Sequence, residues 1–138
     1  MQQDSDPTLL AAFTAGRTSS LTIDQHHVGD VTVLRLSGQL LLDDGEIAFR
    51  TVIERLLAEG HLKLVLDLDG ITQLDSSGVG MLVGRLQAIR RLGGDIRLVH
   101  LASRYQQLLT TMRVLSLFSV FDDEAAAVLS YGNAASGE

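Results

Sequence analysis

The apolar run Leu64-Val65-Leu66-Asp67-Leu68 is flanked on both sides by stretches of helical period, and that placement narrows the fold more than any other feature of the chain. Short and apolar at nearly every position, the run reads as a strand buried on both faces, as strands of a parallel sheet covered by helices are. Upstream, from Asp44 to Glu59, Phe49, Val52, Ile53 and Leu56 share one helical face, while Glu46, Arg50 and Glu54 step along the other at four-residue spacing. Gly60 is the stop. Downstream, Val79, Leu82, Val83, Leu86 and Ile89 point inward, Arg85, Arg90 and Arg91 point to water, and Gly93-Gly94 ends the helix.

The rest of the chain extends this unit in both directions. Alternation begins at Leu21-Thr22-Ile23, and a turn at Val28-Gly29-Asp30 leads into Val31-Thr32-Val33-Leu34-Arg35-Leu36, so the first two strands form an antiparallel hairpin. Ile96-Arg97-Leu98-Val99 is a further strand, and Ser103 with Gln106 forms a capping box for a helix that buries Tyr105, Leu108, Leu109 and Met112. Phe118 to Phe121 reads as a short last strand, and Asp122-Asp123 caps a final helix from Glu124 to Tyr131, stopped at Gly132. Strands that alternate with helices pair in parallel through right-handed crossovers. The expected fold is therefore α/β: a mixed sheet of four or five strands, with an antiparallel N-terminal hairpin and then parallel β-α units, packed with about four helices. The domain spans 21–132. Residues 1–20 read as a flexible segment in which Asp6-Pro7 to Phe13 either forms a one- or two-turn helix or frays, and 133–138 as a disordered tail.

Composition limits what such a domain can do. At 138 residues and 46% hydrophobic content the chain makes one domain, and with 4% aromatic residues and no Trp its core must be Leu, Val, Ile and Ala. A net charge of −6 argues against nucleic acid and suits a basic partner surface. The absence of Cys removes disulfides, thiolate nucleophiles and thiolate metal sites together. No apolar run approaches the length of a membrane span, and no positive region precedes the short apolar stretch Leu9 to Phe13, so the reading is a cytoplasmic protein without membrane insertion.

The chemistry concentrates in Leu74-Asp75-Ser76-Ser77-Gly78-Val79-Gly80, between the buried strand and the following helix. Loops at the C-terminal ends of parallel strands are the usual location of sites in such sheets. A hydroxyl on Ser76 at a helix N-terminus is also well placed to carry a phosphate, since the first N–H groups lack intrahelical partners and the macrodipole is positive there. On this reading the Ser76 phosphate meets the N–H groups of Gly78 and Val79. The other reading is that Asp75 or Ser76 simply caps the helix. Gly80 and Gly84 lie one turn apart on one side, continuing toward Gln87, Ala88 and Arg91. They either admit a partner backbone or pack against the domain's own sheet or loop.

With Gly38-Gln39-Leu40 after the second strand, Leu64 to Leu68, the Asp-Ser-Ser-Gly-x-Gly element and Gly93-Gly94-Asp95-Ile96, the chain resembles the STAS domain of bacterial anti-sigma factor antagonists from about Val31 to Val128. The resemblance implies partner switching. The unmodified antagonist binds an anti-sigma factor that is also a serine kinase, with ATP held by that partner and no cofactor held by this chain. Phosphorylation at the position of Ser76 breaks the complex, and a phosphatase resets it. The implied partner contact takes in Asp75, Ser77, Gly78, Gly80 and Gly84, in a monomer or weak dimer. Many family members carry an Asp two or three positions after the strand 2 glycine, where this chain has Leu40-Leu41-Leu42. Asp43 or Asp44 either replaces that Asp or caps the next helix.

Other functions fit less well. A nucleophile elbow needs flanking glycines that Asp75-Ser76-Ser77-Gly78 lacks, and His100 is the only histidine in the order that a serine esterase requires. His26 and His27 are adjacent and point to opposite faces of a strand, with His61 and His100 elsewhere, so no metal site is expected. A STAS subunit of a lipid-transport or stress-signalling assembly shares the fold and stays open at this point.

Overall fold

The computed structural model describes residues 20–41 and 44–136. The helix expected from Asp6 to Phe13 and the loop residue Asp43 lie outside them. Five strands form one mixed sheet in the order β1-β2-β3-β4-β5. β1 (Leu21–Val28) and β2 (Val31–Leu40) are an antiparallel hairpin closed by Gly29-Asp30, with Gly29 at φ 63°. β3 (Lys63–Leu74), β4 (Asp95–Val99) and β5 (Ser119–Phe121) then add in parallel. Among the described residues four helices alternate with them: α1 (Asp44–Ala58), α2 (Ser76–Arg91), α3 (Ser103–Thr111) and α4 (Glu124–Ser136), with one 3-10 turn at Leu115–Leu117.

Strand alternation divides the core in two. Leu34, Leu36, Leu64, Leu66 and Leu98 face α1, α2 and α3, where Phe49, Ile53, Val79, Leu82, Leu86 and Leu109 fill a large Leu/Ile interior. The opposite face is narrower: among the described residues Val31, Val33, Val65 and Val99 pack with Ala127 and Tyr131 of α4, with Phe121 and Val128 at the edge. Tyr131 brings its hydroxyl to the carbonyls of Leu64 and Asp95, at 2.8 and 2.7 Å, and Arg97 stacks on its ring. Such a buried phenol stays neutral, because desolvation pushes its pKa well above the usual value.

Four expectations change. β3 does not stop at Leu68 but runs on to Leu74, because after register shifts near Ser37 and Gln39 the segment Gly70–Leu74 pairs with the end of β2. Pairing there carries the strand through Asp69-Gly70, two residue types that are depleted in strands. Ser103 is the first residue of α3 and not its cap; the cap position is Ala102, without a side-chain bond, and Gln106 donates instead to the Leu101 carbonyl at 3.0 Å. Of the residues expected to be buried on α3, Tyr105 and Leu109 are, whereas Leu108 and Met112 are half-buried. Gly132 does not end α4, which continues to Ser136. The stops at Gly60 and Gly93 hold, with φ of 86° and 90°, and each helix closes through a six-residue bond, His61 N–H to Leu56 O at 2.9 Å and Gly94 N–H to Ile89 O at 2.9 Å.

Candidate functional site

Because β3 extends to Leu74, a single residue separates it from α2. Asp75 occupies that position with extended φ, ψ of −113° and −176°, and its carboxylate Oδ1 accepts from the Gly78 N–H at 2.9 Å. Its carbonyl accepts from the Val79 N–H at 3.0 Å. Asp75 is thus the N-cap, and the two amides expected to receive a Ser76 phosphate are already used. The free donors lie one step earlier: among the described residues the N–H groups of Ser76 and Ser77 have no partner. The Ser76 hydroxyl has none either, and Asp75, Ser76 and Ser77 are all exposed. A hydroxyl at the first helical position, open to solvent and beside two unpaired amides, can be reached by an external phosphoryl donor.

The three glycines of this region separate into two kinds. Gly78 is buried, and a Cβ there would collide with the Leu40 carbonyl oxygen and lie 2.8 Å from Leu74 Cδ1. It fits α2 closely against the end of β2 and offers no side chain to a partner. Gly80 and Gly84 face open space, where an added Cβ would meet nothing within 4 Å. The alternative that they pack against the domain's own sheet does not hold. Arg85 reaches Glu54 at 3.5 Å, aligning α1 and α2 side by side. Ile47, in the first turn of α1, is 53% exposed, an apolar residue with no place in the core. The sequence reading missed it, although an Ile out of phase with Phe49, Ile53 and Leu56 was a usable signal. Asp44 opens α1. On the other side of Asp75 a groove of about 280 Å³ is lined by Leu41, Thr72, Gln73, Leu74 and Tyr105.

No histidine serves Ser76 as a base. His100, at φ 60°, bonds through Nδ1 to Oδ1 of the buried Asp67 at 2.9 Å. Asp67 lies seven residues before the end of β3, on the order of 20 Å along the strand from the Ser76 region. That bond raises the His100 pKa against the opposing effect of burial. Arg35 lies beside Asp67 in register, and its guanidinium bonds to Glu124 at 3.0 Å; His26 bonds to the same carboxylate at 3.0 Å. Burial works to raise the Glu124 pKa, but His26 and Arg35 outweigh it and hold the group below its ordinary value. These charges tie the start of α4 to the sheet. His61, expected to be remote from His27, lies beside it at the other end of the sheet, with ring centres 5.1 Å apart and planes tilted by 41°.

The family model of the STAS domain matches residues 22–127. An anti-sigma F factor antagonist from Paenibacillus polymyxa is 26% identical over 109 residues, covering 79% of this chain and 93% of the relative. The fold is also that of an anti-sigma factor antagonist from Mycobacterium paratuberculosis, with a TM-score of 0.71 and 19% identity over 80% of this chain and 93% of that one. The Bacillus cell fate determinant SpoIIAA in its phosphorylated form aligns with a TM-score of 0.61 and 20% identity over 76% of this chain and 96% of that one. Among the described residues no helix is long and apolar enough to cross a membrane.

Proposed function

The chain belongs to the STAS domain family, and from that premise we propose that it is a non-catalytic anti-sigma factor antagonist that binds an anti-sigma factor with serine kinase activity and is released when Ser76 is phosphorylated, until a phosphatase resets it. One observation carries this reading: the Ser76 hydroxyl stands exposed and unbonded at the start of α2, directly behind a cap that Asp75 supplies. Capping is already done by Asp75, so the hydroxyl is left for other chemistry. The phosphorylated state of the Bacillus relative is a precedent within this fold.

The proposed switch is local. Gly80, Gly84 and Ile47 give the partner a smooth surface on the same flank as Ser76, where its backbone can approach closely. A phosphoryl group adds about −1.5 to −2 charges and three acceptor oxygens at neutral pH. Within the domain those oxygens meet the Ser76 and Ser77 amides and the positive helix end. Against a closely packed partner they break shape complementarity, and with Asp75 alongside they repel any acidic group placed there.

The test is to incubate the protein with its anti-sigma kinase and ATP and locate the phosphoryl group by fragment mass spectrometry. The expected result is label on Ser76 alone, with Ser76→Ala unlabelled but still bound by the partner and Ser76→Asp bound more weakly. Label elsewhere, or none on a chain that the kinase binds, overturns the assignment. Amide chemical shifts on phosphorylation are expected to change around residues 72–80 and to stay fixed along Val31–Val33 and α4.

A further inference from the structure

The geometry points to an interaction surface along the outer edge of β5, with a second copy of this chain as its occupant. The two edges of the sheet are built differently. β1, at one edge, carries Asp24, His26 and His27, and charged or titratable side chains on an edge oppose the addition of another strand. At the other edge the run Ser116-Leu117-Phe118-Ser119-Val120-Phe121 has no charge and no Pro. Among the described residues no strand lies beyond β5. Ser119 is exposed, and Leu117 and Val120 are each 37% exposed, so this edge presents backbone and apolar side chains together without the usual guards.

Charge selects the occupant and its direction. At the start of β5 the half-exposed Arg90 donates from Nε to Asp95 at 2.9 Å and from Nη2 to the Leu117 carbonyl at 2.7 Å, which leaves part of its guanidinium fork unused. At the end of β5 Asp122 is exposed and, among the described residues, has no hydrogen bond or ion pair. The edge therefore runs from a cation to an anion. Two copies paired in parallel set like charges together. Paired antiparallel about a twofold axis at Val120, they set Val120 against Val120, Ser119 against the second copy's Phe121, and Phe118 against its Asp122. Arg90 is bonded to the carbonyl just before Phe118, so it meets that Asp122. The faces agree as well. Val120 pairs beside Leu98, whose side chain faces the α2 and α3 layer, and pairing continued past Phe121 sets Asp122 on that face, the one that carries Arg90. Each contact occurs twice by symmetry. With three residues of β5 on each side, the contact buries far less than the ~1,200–2,000 Å² of a stable interface, so the dimer is weak and exchanging. Ser76 lies at the other end of α2, roughly 20 Å along the helix from Arg90, so the pairing leaves its hydroxyl open and does not rest on the phosphorylation reading.

The test is sedimentation velocity of the full, unmodified chain from the micromolar to the millimolar range. The weight-average mass is expected to rise from one chain toward two. Val120→Lys, which sets two charges against each other across the axis, is expected to weaken association tenfold or more while the melting temperature stays near that of the parent chain. Asp122→Lys and Arg90→Glu should each weaken it likewise. An equimolar mixture of those two variants should associate at least fivefold more tightly than either alone, because the mixed pair has opposite charges at both contacts. A parent chain that stays at the mass of one chain throughout, a Val120→Lys chain that associates as the parent does, or a mixture no tighter than its components overturns the surface.

Discussion

The inner and outer sides of α2 use the same residue in opposite ways. On the inner side Gly78 sits where the Leu40 carbonyl leaves no room for a Cβ, whereas Gly80 and Gly84 on the outer side face open space. The first is needed by the fold. The other two cost helix stability without any return inside the domain, since a mid-helix glycine is worth about 0.5–1 kcal/mol less than alanine. Under the proposed function, the stability given up twice along this strip, next to a free hydroxyl, goes to close contact with a partner.

That contrast can be broken by substitution, and the largest effect belongs to the inner side. Gly78→Val should destabilise the domain by about 3 kcal/mol, measured by urea unfolding, because neither the backbone of β2 nor Leu74 can yield easily. An unchanged midpoint would mean that α2 is not held as described. On the outer side Gly84→Leu should weaken partner binding at least tenfold, about 1.4 kcal/mol, with no loss of stability. Gly84→Ala should raise stability by about 0.5–1 kcal/mol. Destabilisation by either would return this glycine to the inner class. Asp75 stands between the two sides: Asp75→Ala should cost about 1 kcal/mol through the lost cap, while Asp75→Asn, which still accepts from Gly78, should cost little.

The smallest effect lies far from α2 and serves as a control. The folded-state pKa of His100 is raised by its bond to Asp67, so its contribution is fully present below the ordinary value near 6.5 and is lost as pH rises through the folded value. The melting temperature of the parent chain should therefore exceed that of His100→Asn most at about pH 6 and converge with it by about pH 8. Asn is chosen because it tolerates the positive φ of 60°. A gap that widens with pH would reverse the assignment. Partner binding should be the same for both.

Much of this was legible in the chain because the deciding patterns are local. The periods around Phe49 and Leu82, the alternation of β1 and β2 and the Asp75-Ser76 junction each depend on neighbours in sequence. The misreadings share the opposite property. The extension of β3 past Asp69-Gly70 depends on pairing with Ser37–Leu40, more than thirty residues away in sequence. The amides left free at Ser76 and Ser77 could be identified only once Asp75, and not Ser76, was seen to cap Gly78. His27 and His61 meet because a hairpin and a helix end at the same pole, which neither segment encodes alone. Ile47 was visible as an apolar residue out of phase, but that it stays exposed required the packing of α1 onto the sheet and α2.

The most direct measurement is the affinity of the anti-sigma factor for the unmodified chain and for the same chain carrying phosphoserine at position 76, by calorimetry in one buffer. The account predicts tight binding of the unmodified form and a loss of a hundredfold or more, about 2.7 kcal/mol, on phosphorylation. Equal affinities for the two forms would contradict it.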